Sequence, residues 1–186
     1  MPSSDYNMIS KVLDVVCALK PASILDVGCG NGRYGFLFRE CLDWNQGRFN
    51  RDEWLHQIEA VEIDESYITP VHTEVYNDVF IKGWLEWIVP RRYNLIFMGD
   101  VLEHFVDWPK ALLKAKANSS ITLVVAPNWE GSIAQGAWFG HEHEKHETVL
   151  SPEKIGGKCL FANSKMFMCG FDNSGSGILR GRTHCK

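Results

Sequence analysis

Residues 24 to 32 read Ile-Leu-Asp-Val-Gly-Cys-Gly-Asn-Gly, and a chain can thread such a stretch in few ways. The apolar run is a buried strand, and the three alternate glycines turn it sharply into a loop. Gly28, Gly30 and Gly32 lack the Cβ atoms that keep a ligand off the backbone, and they permit the positive φ a tight turn needs. The dinucleotide fingerprint G-x-G-x-x-G would put its third glycine at position 33, where this chain has Arg33. Asp26, two places before the first glycine, would repel a pyrophosphate. It suits a ligand with a positive end, such as an amino acid ammonium or a sulfonium.

The rest of the chain fits a frame of alternating strands and helices. Ile9, Val12, Leu13, Val16 and Leu19 recur at helical spacing until Pro21, which predicts a helix over 9–20. Strands are predicted at 23–27, 56–63, 74–76, 93–98 and 121–126, and helices at 33–42, 80–89, 109–117 and 151–160. The polar, turn-rich residues 43–54 read as a loop insertion. Residues 165–169 and 178–182 read as a closing β-hairpin across a turn at 172–175. Strands this apolar have no wet face, so the sheet is expected to be mostly parallel with helices on both sides. The expectation is an α/β, doubly wound, three-layer sandwich forming a single domain over 1–186.

Composition limits the partners. The chain has 186 residues, 45% hydrophobic and 23% charged, with a net charge of −4. That balance argues against a broad nucleic-acid surface, which needs clustered Lys and Arg. Arg48, Arg51, Arg91 and Arg92 form two short groups, read as surface charge. Six scattered cysteines without a C-x-x-C pair suit reduced thiols in a cytoplasmic protein. The polar N-terminus lacks the pattern of a signal peptide. No apolar run nears the roughly 18 residues of a membrane span. Oligomeric state is left open.

The glycine stretch resembles motif I of the class I S-adenosylmethionine (SAM) methyltransferases. That resemblance implies a Rossmann-like sheet of seven strands in the order 3-2-1-4-5-7-6, ending in the hairpin, with SAM as cofactor and S-adenosylhomocysteine (SAH) as product. In open α/β sheets a ligand sits outside the carboxyl ends of the strands, where the loop residues Asp26, Gly28, Cys29, Gly30, Gly32 and Arg33 fall. Glu62, ending strand two, has two acceptors for the two ribose hydroxyls. Asp78 would accept from the adenine amino group, with Val79 or Ile63 on the ring, although Asp78 suits a helix cap equally well. Gly99, Asp100 and Val101 follow strand four.

Asp100-Val101-Leu102-Glu103-His104-Phe105 is similar to the D-V-L-E-H signature of small-molecule and quinone-type methyltransferases. The resemblance covers about residues 24 to 128. It implies methyl transfer to an O, N or C atom of a small or medium-sized acceptor. His104 is the candidate general base, set against a histidine bonded to backbone. Residues 129–150 hold three His and three Glu within 141–147 and read either as a solvated loop or as an acceptor lid. Trp129, Trp138, Phe139, His141, His143 and His146 are its candidate contacts.

Two further readings stand beside this one. Asp100, Glu103 and His104, completed by His143 or His146, form a candidate set for Mg²⁺, Mn²⁺ or Fe²⁺, an arrangement that resembles the plant-type small-RNA 2′-O-methyltransferases, which carry E-x-x-E-H in this turn and a further His after strand five. The first acid here is Asp and the flanking sequence departs from that family, so the favoured expectation is a site without metal and an acceptor that is not nucleic acid. The second is a non-catalytic SAM-binding protein on the same fold.

Overall fold

The computed structural model describes residues 5–128, 143 and 145–179. Helix α1 (Ile9–Leu19) buries Val12, Val15 and Val16 and ends where Lys20 turns left-handed at φ 45° and returns its N–H to Val16. Strand β1 (Ser23–Val27) leads through the glycine loop into α2 (Arg33–Leu42), and β2 (Gln57–Glu62) follows the insertion. Helix α3 (Pro70–Val75), β3 (Asp78–Ile81), β4 (Tyr93–Gly99), α4 (Trp108–Ala117) and β5 (Ser119–Pro127) continue the chain. A short α5 (Pro152–Ile155) precedes the hairpin of β6 (Lys158–Ala162) and β7 (Met166–Asp172).

The seven strands run in the order β3-β2-β1-β4-β5-β7-β6. All neighbours are parallel except that β7 lies antiparallel to β5 and β6. Side chains of β1, β4 and β5 alternate between two cores. Ile24, Leu95, Phe97, Leu123 and Val125 pack under α1, α2 and α3, with Val12, Phe38 and Val75. Leu25, Val27, Ile96, Met98 and Val124 pack on the other face against Leu102, Ala111 and Ala115. With both faces covered, these strands are apolar throughout rather than alternating, as the sequence suggested.

Four local expectations change. Residues 74–76 are not strand three but the end of α3, because Pro70 opens a helix whose His72 and Thr69 cap each other. Strand three is instead 78–81, and its register Glu59↔Asp78 to Glu62↔Ile81 is parallel to β2. No helix spans 80–89: Lys114 of α4 reaches into this connection and bonds the carbonyls of Trp84, Leu85 and Trp87, satisfying them outside a helix. The hairpin turns at Asn163–Lys165, where Asn163 caps Lys165 and Met166, so 158–160 is strand rather than helix. Of the strand expected at 178–182, residues 178 and 179 form a turn instead, and residues 180–182 lie outside the described residues.

The insertion at 43–54 is anchored rather than loose. Arg39 of α2 is fully buried, pairs with Asp43, donates to the carbonyls of Val75 and His56 and to Asn77, and lies 3.7 Å from the centre of the Trp54 ring. Burial lowers the Arg39 guanidinium to about 10 despite Asp43. For Asp43 burial pushes upward, but bonds from Arg48, the Leu55 N–H and Arg39 leave it below the usual value. Arg51 donates to the carbonyls of Thr73, Tyr76 and Asn77, and Arg92 to those of Ala117 and Ser119. Arg91 pairs with Glu59 at 2.6 Å. The two arginine groups are therefore structural ties, not a basic patch. Helix packing brings Cys17 of α1 and Cys41 of α2 side by side, with Cα atoms 6.3 Å apart, a pairing that sequence spacing does not suggest.

Candidate cofactor cleft

A cavity of about 310 Å³ opens at the carboxyl ends of β1, β2 and β4, where the strand order reverses. Gly28 and Gly30 form one wall with Val27, and Glu62 and Ile63 form the next. Gly28 has φ 69°, and a Cβ there would lie 2.4 Å from Val101 Cγ2. The glycine loop is thus packed directly on the turn after β4. Asp100 at the start of that turn has φ 50°, unusual for a residue other than glycine, and its N–H bonds the Val125 carbonyl at 2.9 Å.

Glu62 is buried, and its carboxylate ties the walls together. One oxygen accepts from the Gly30 N–H at 2.9 Å, and the other from Ile63 and Asp64 at 2.8 and 3.1 Å. The carbonyl of Gly30 is held as well, by His72 of α3 at 2.9 Å. The Thr69 N–H donates to His72 Nδ1, so Nδ1 carries the lone pair and Nε2 carries the proton given to Gly30. One turn later, Tyr76 donates its hydroxyl to Asp26 at 2.6 Å. Tyr76 is the C-cap of α3, with its N–H on the His72 carbonyl and its ring stacked on His72, so α3 and its cap hold the loop at Gly30 and at Asp26. The sequence reading missed this pair by taking the segment as a strand; Pro70 and the i, i+4 spacing were the available signals.

Asp26 does not line the cleft. It lies 2% exposed beneath the loop, and burial pushes its carboxyl up to about 7; the Tyr76 bond opposes that rise and the Glu62 charge adds to it. The expected contact with a positive ligand end is therefore replaced by support of the loop from below. Burial, with Asp26 and Glu62 nearby, also pushes the Cys29 thiol up, so it stays protonated. Asp78 and Val79 are corrected too: the register places them at the start of β3, three residues and more before the cleft end. Lys82, Gly83, Trp84, Leu85 and Glu86, just after β3, line the cleft instead. Gly32 starts α2 beside His72, Arg33 is exposed and Gly99 sits in β4 against Phe97; none of the three is in the lining. Tyr67 and Phe105 complete it with Asp100, Val101, His104 and His143. Among the described residues, the lining sets the carboxylates of Glu62, Glu86 and Asp100 against one lysine, Lys82.

His104 closes the mouth of the cleft. Its Nδ1 donates to the Lys145 carbonyl at 3.0 Å, because a carbonyl can only accept, and this leaves the Nε2 lone pair available. The His146 ring meets it edge-on with centroids 4.8 Å apart. Glu103, His104 and His146 each place a ligand atom within 4.8 Å of the others. Of the candidate set read from sequence, Glu103, His104 and the alternative His146 come together, and Asp100 and His143 are not in the cluster. Trp129, Trp138, Phe139 and His141 lie outside the described residues.

A family model described as a methyltransferase domain matches residues 6–152. The magnesium protoporphyrin IX methyltransferase of Synechocystis PCC 6803, solved with bound SAH, has a TM-score of 0.63 at 9% identity, covering 88% of this chain and 80% of that one. The YcgJ protein of Bacillus subtilis gives 0.59 at 14% identity, covering 80% and 65%. The plantazolicin methyltransferase BamL, in complex with a substrate analogue and SAH, gives 0.56 at 14%, covering 81% and 59%. The chain thus spans less than two thirds of the length of the latter two. No curated protein matches it in sequence. At these identities the structural likeness shows the fold.

Proposed function

The chain belongs to the methyltransferase-domain family of the class I SAM-dependent superfamily, and on that premise we propose that it transfers the methyl group of SAM to an O, N or C atom of a small or medium-sized acceptor. The observation that carries this reading is a single wall in which the Gly30 backbone and the Glu62 carboxylate are bonded to each other and face the cleft. The bare backbone at Gly28 and Gly30 lets a ligand approach closely. The cavity volume lies at the lower end of the range of small-molecule sites. Its acidic lining favours a ligand carrying ammonium and sulfonium charges over one carrying two phosphates.

When bound, SAM supplies an electrophilic methyl group and its own leaving group. The chain's residues would hold and orient it. Glu62 accepts from ribose hydroxyls on the lone pairs its backbone bonds leave over, while Ile63, Trp84 and Leu85 offer apolar surface to the adenine in place of Val79. Asp100 and Glu86 place negative charge where the ligand is positive. His104, at the mouth, offers the Nε2 lone pair for activating the acceptor, either on its proton or on an ion held with neighbouring groups. Residues 129–150 would cover the acceptor as a lid, with His143 already at the cleft wall.

Thermal unfolding with SAM, SAH and NAD in parallel tests the reading. SAM and SAH at 100 times their Kd are expected to add about 2.7 kcal/mol to stability, with NAD inert. A chain stabilised by neither SAM nor SAH at millimolar concentration would not be a SAM enzyme.

A further inference from the structure

We propose that Lys114 of α4, which is not in the cleft lining, is a positioning residue for the cofactor: its ammonium caps the turn that carries Trp84, Leu85 and Glu86 and thereby sets the affinity for SAM and SAH. The connection after β3 makes one helical turn and stops. The Trp87 N–H returns to the Gly83 carbonyl at 3.0 Å, and Ile88 and Val89 continue as irregular chain to Pro90, which has no N–H to give. The carbonyls of Trp84, Leu85 and Trp87 are thus left without helical partners. All three accept from Lys114 Nζ, those of Trp84 and Leu85 at 2.6 and 3.3 Å. An ammonium has three N–H donors, so one side chain satisfies the whole set. A cation in this place also meets the negative partial charge at the end of a turn.

A second anchor comes from the same helix. Trp84 donates its indole N–H to the Ala111 carbonyl at 3.1 Å, and Lys114 Nζ lies 4.9 Å from the centre of the Trp84 ring. Ala111 and Lys114 are three apart on α4 and so share one face of it. Burial pushes the Lys114 ammonium down from its ordinary value; the Glu86 charge opposes that fall and Lys110 adds to it. Its hydrogen-bond acceptors are carbonyls rather than a carboxylate, so the turn itself offsets the lost hydration. Gly83, Trp84, Leu85 and Glu86 line the cleft, and α4 therefore fixes a cleft wall that it does not itself form. Without the ammonium, three carbonyls would turn to water and the wall would lose its shape. The effect on cofactor affinity rests on the SAM reading; the holding of the turn does not.

The test compares the full parent chain with Lys114→Met, Lys114→Arg and Lys110→Met by calorimetric titration with SAH and by amide hydrogen exchange over residues 83–88. Lys114→Met keeps the side-chain length and removes the donors. It is expected to weaken SAH binding at least about 5-fold and to speed exchange of the Trp87 amide. Lys114→Arg keeps a charged donor and should recover part of both losses. Lys110 is exposed on the same helix, and Lys110→Met should match the parent in both measurements. 5′-Methylthioadenosine, which has the adenosine of SAH without its amino acid, should lose affinity by the same factor, because the loss lies at the wall that receives adenine. Should Lys114→Met fail to fold, Lys114→Gln carries the same expectations. Unchanged SAH affinity would overturn the proposal, as would a loss shared by Lys110→Met or one confined to SAH. A parent chain that binds no SAH would strike the SAM reading, and exchange at Trp87 would still show whether Lys114 holds the turn.

Discussion

The Gly30 peptide is fixed at both its polar atoms, the N–H by Glu62 and the carbonyl by His72. His72 is not itself in the cleft lining and acts through Gly30, which is, so it is a positioning residue. His72→Ala is expected to weaken SAM binding by about 1–2 kcal/mol, read by calorimetry, and His72→Gln, which keeps an N–H donor, should recover part of the loss. Equal affinity in all three would show that the loop holds itself. Asp26 makes a pH prediction. Its carboxyl sits at about 7 in the folded chain, against about 3.9 unfolded. The folded state therefore holds the proton more tightly across that interval. Its stabilising contribution is complete below about pH 4 and is lost as pH rises to about 7. Asp26→Asn removes the titration and keeps an acceptor for Tyr76. Denaturant unfolding at pH 5 and pH 8 should show the parent losing more stability than the variant, by at most about 1.4 kcal/mol per pH unit over the interval. Parallel profiles would contradict a buried, proton-holding Asp26.

At the scale of elements, the glycine loop and the turn after β4 form one packed unit. Gly28→Ala would place a methyl group 2.4 Å from Val101 Cγ2, on a residue at φ 69°. The left-handed backbone alone costs about 1–2 kcal/mol for a residue with Cβ, and the clash adds to it. The expected result is a Tm loss larger than that of an exposed Gly47→Ala, whose new Cβ meets nothing within 4 Å, together with weaker SAH binding. Similar losses in the two variants would separate the loop from the turn. Helix α3 supplies the complementary lesson. Its six residues carry His72, and Tyr76 follows as the C-cap with its ring stacked on His72; a strand at 74–76 would have separated the two. The sequence reading therefore lost the clamp and the register of β3 together. Asp78 then stood where Lys82 to Glu86 belong.

At the scale of the molecule, the arginines that cluster in the sequence are used internally. Arg39, Arg48, Arg51 and Arg92 all donate to backbone carbonyls, and Arg91 pairs with Glu59. With a net charge of −4, little is left for phosphate backbones. Fluorescence anisotropy with single-stranded RNA and duplex DNA at physiological salt should show no binding at micromolar protein; a salt-dependent affinity would contradict this reading. Among the described residues no helix is long and apolar enough to cross a membrane.

The strand order came with the resemblance to the methyltransferases, while fold class, the glycine loop and the placing of Glu62 at a strand end were legible from the chain alone. These features depend on local rules: apolar runs make strands, glycines at fixed offsets make the loop, and a strand's last residue points at the switch point. Other features depend on which segments pack side by side, and no local spacing encodes that. The 42 positions between Gly30 and His72, the 50 between Asp26 and Tyr76, and the meeting of His146 with Glu103 and His104 appear only once helices and strands are docked. The glycine loop could be read as a ligand cradle from its own residues. Only the tertiary structure shows α3 holding that cradle in shape and the 145–148 segment packing His146 against His104 beside it.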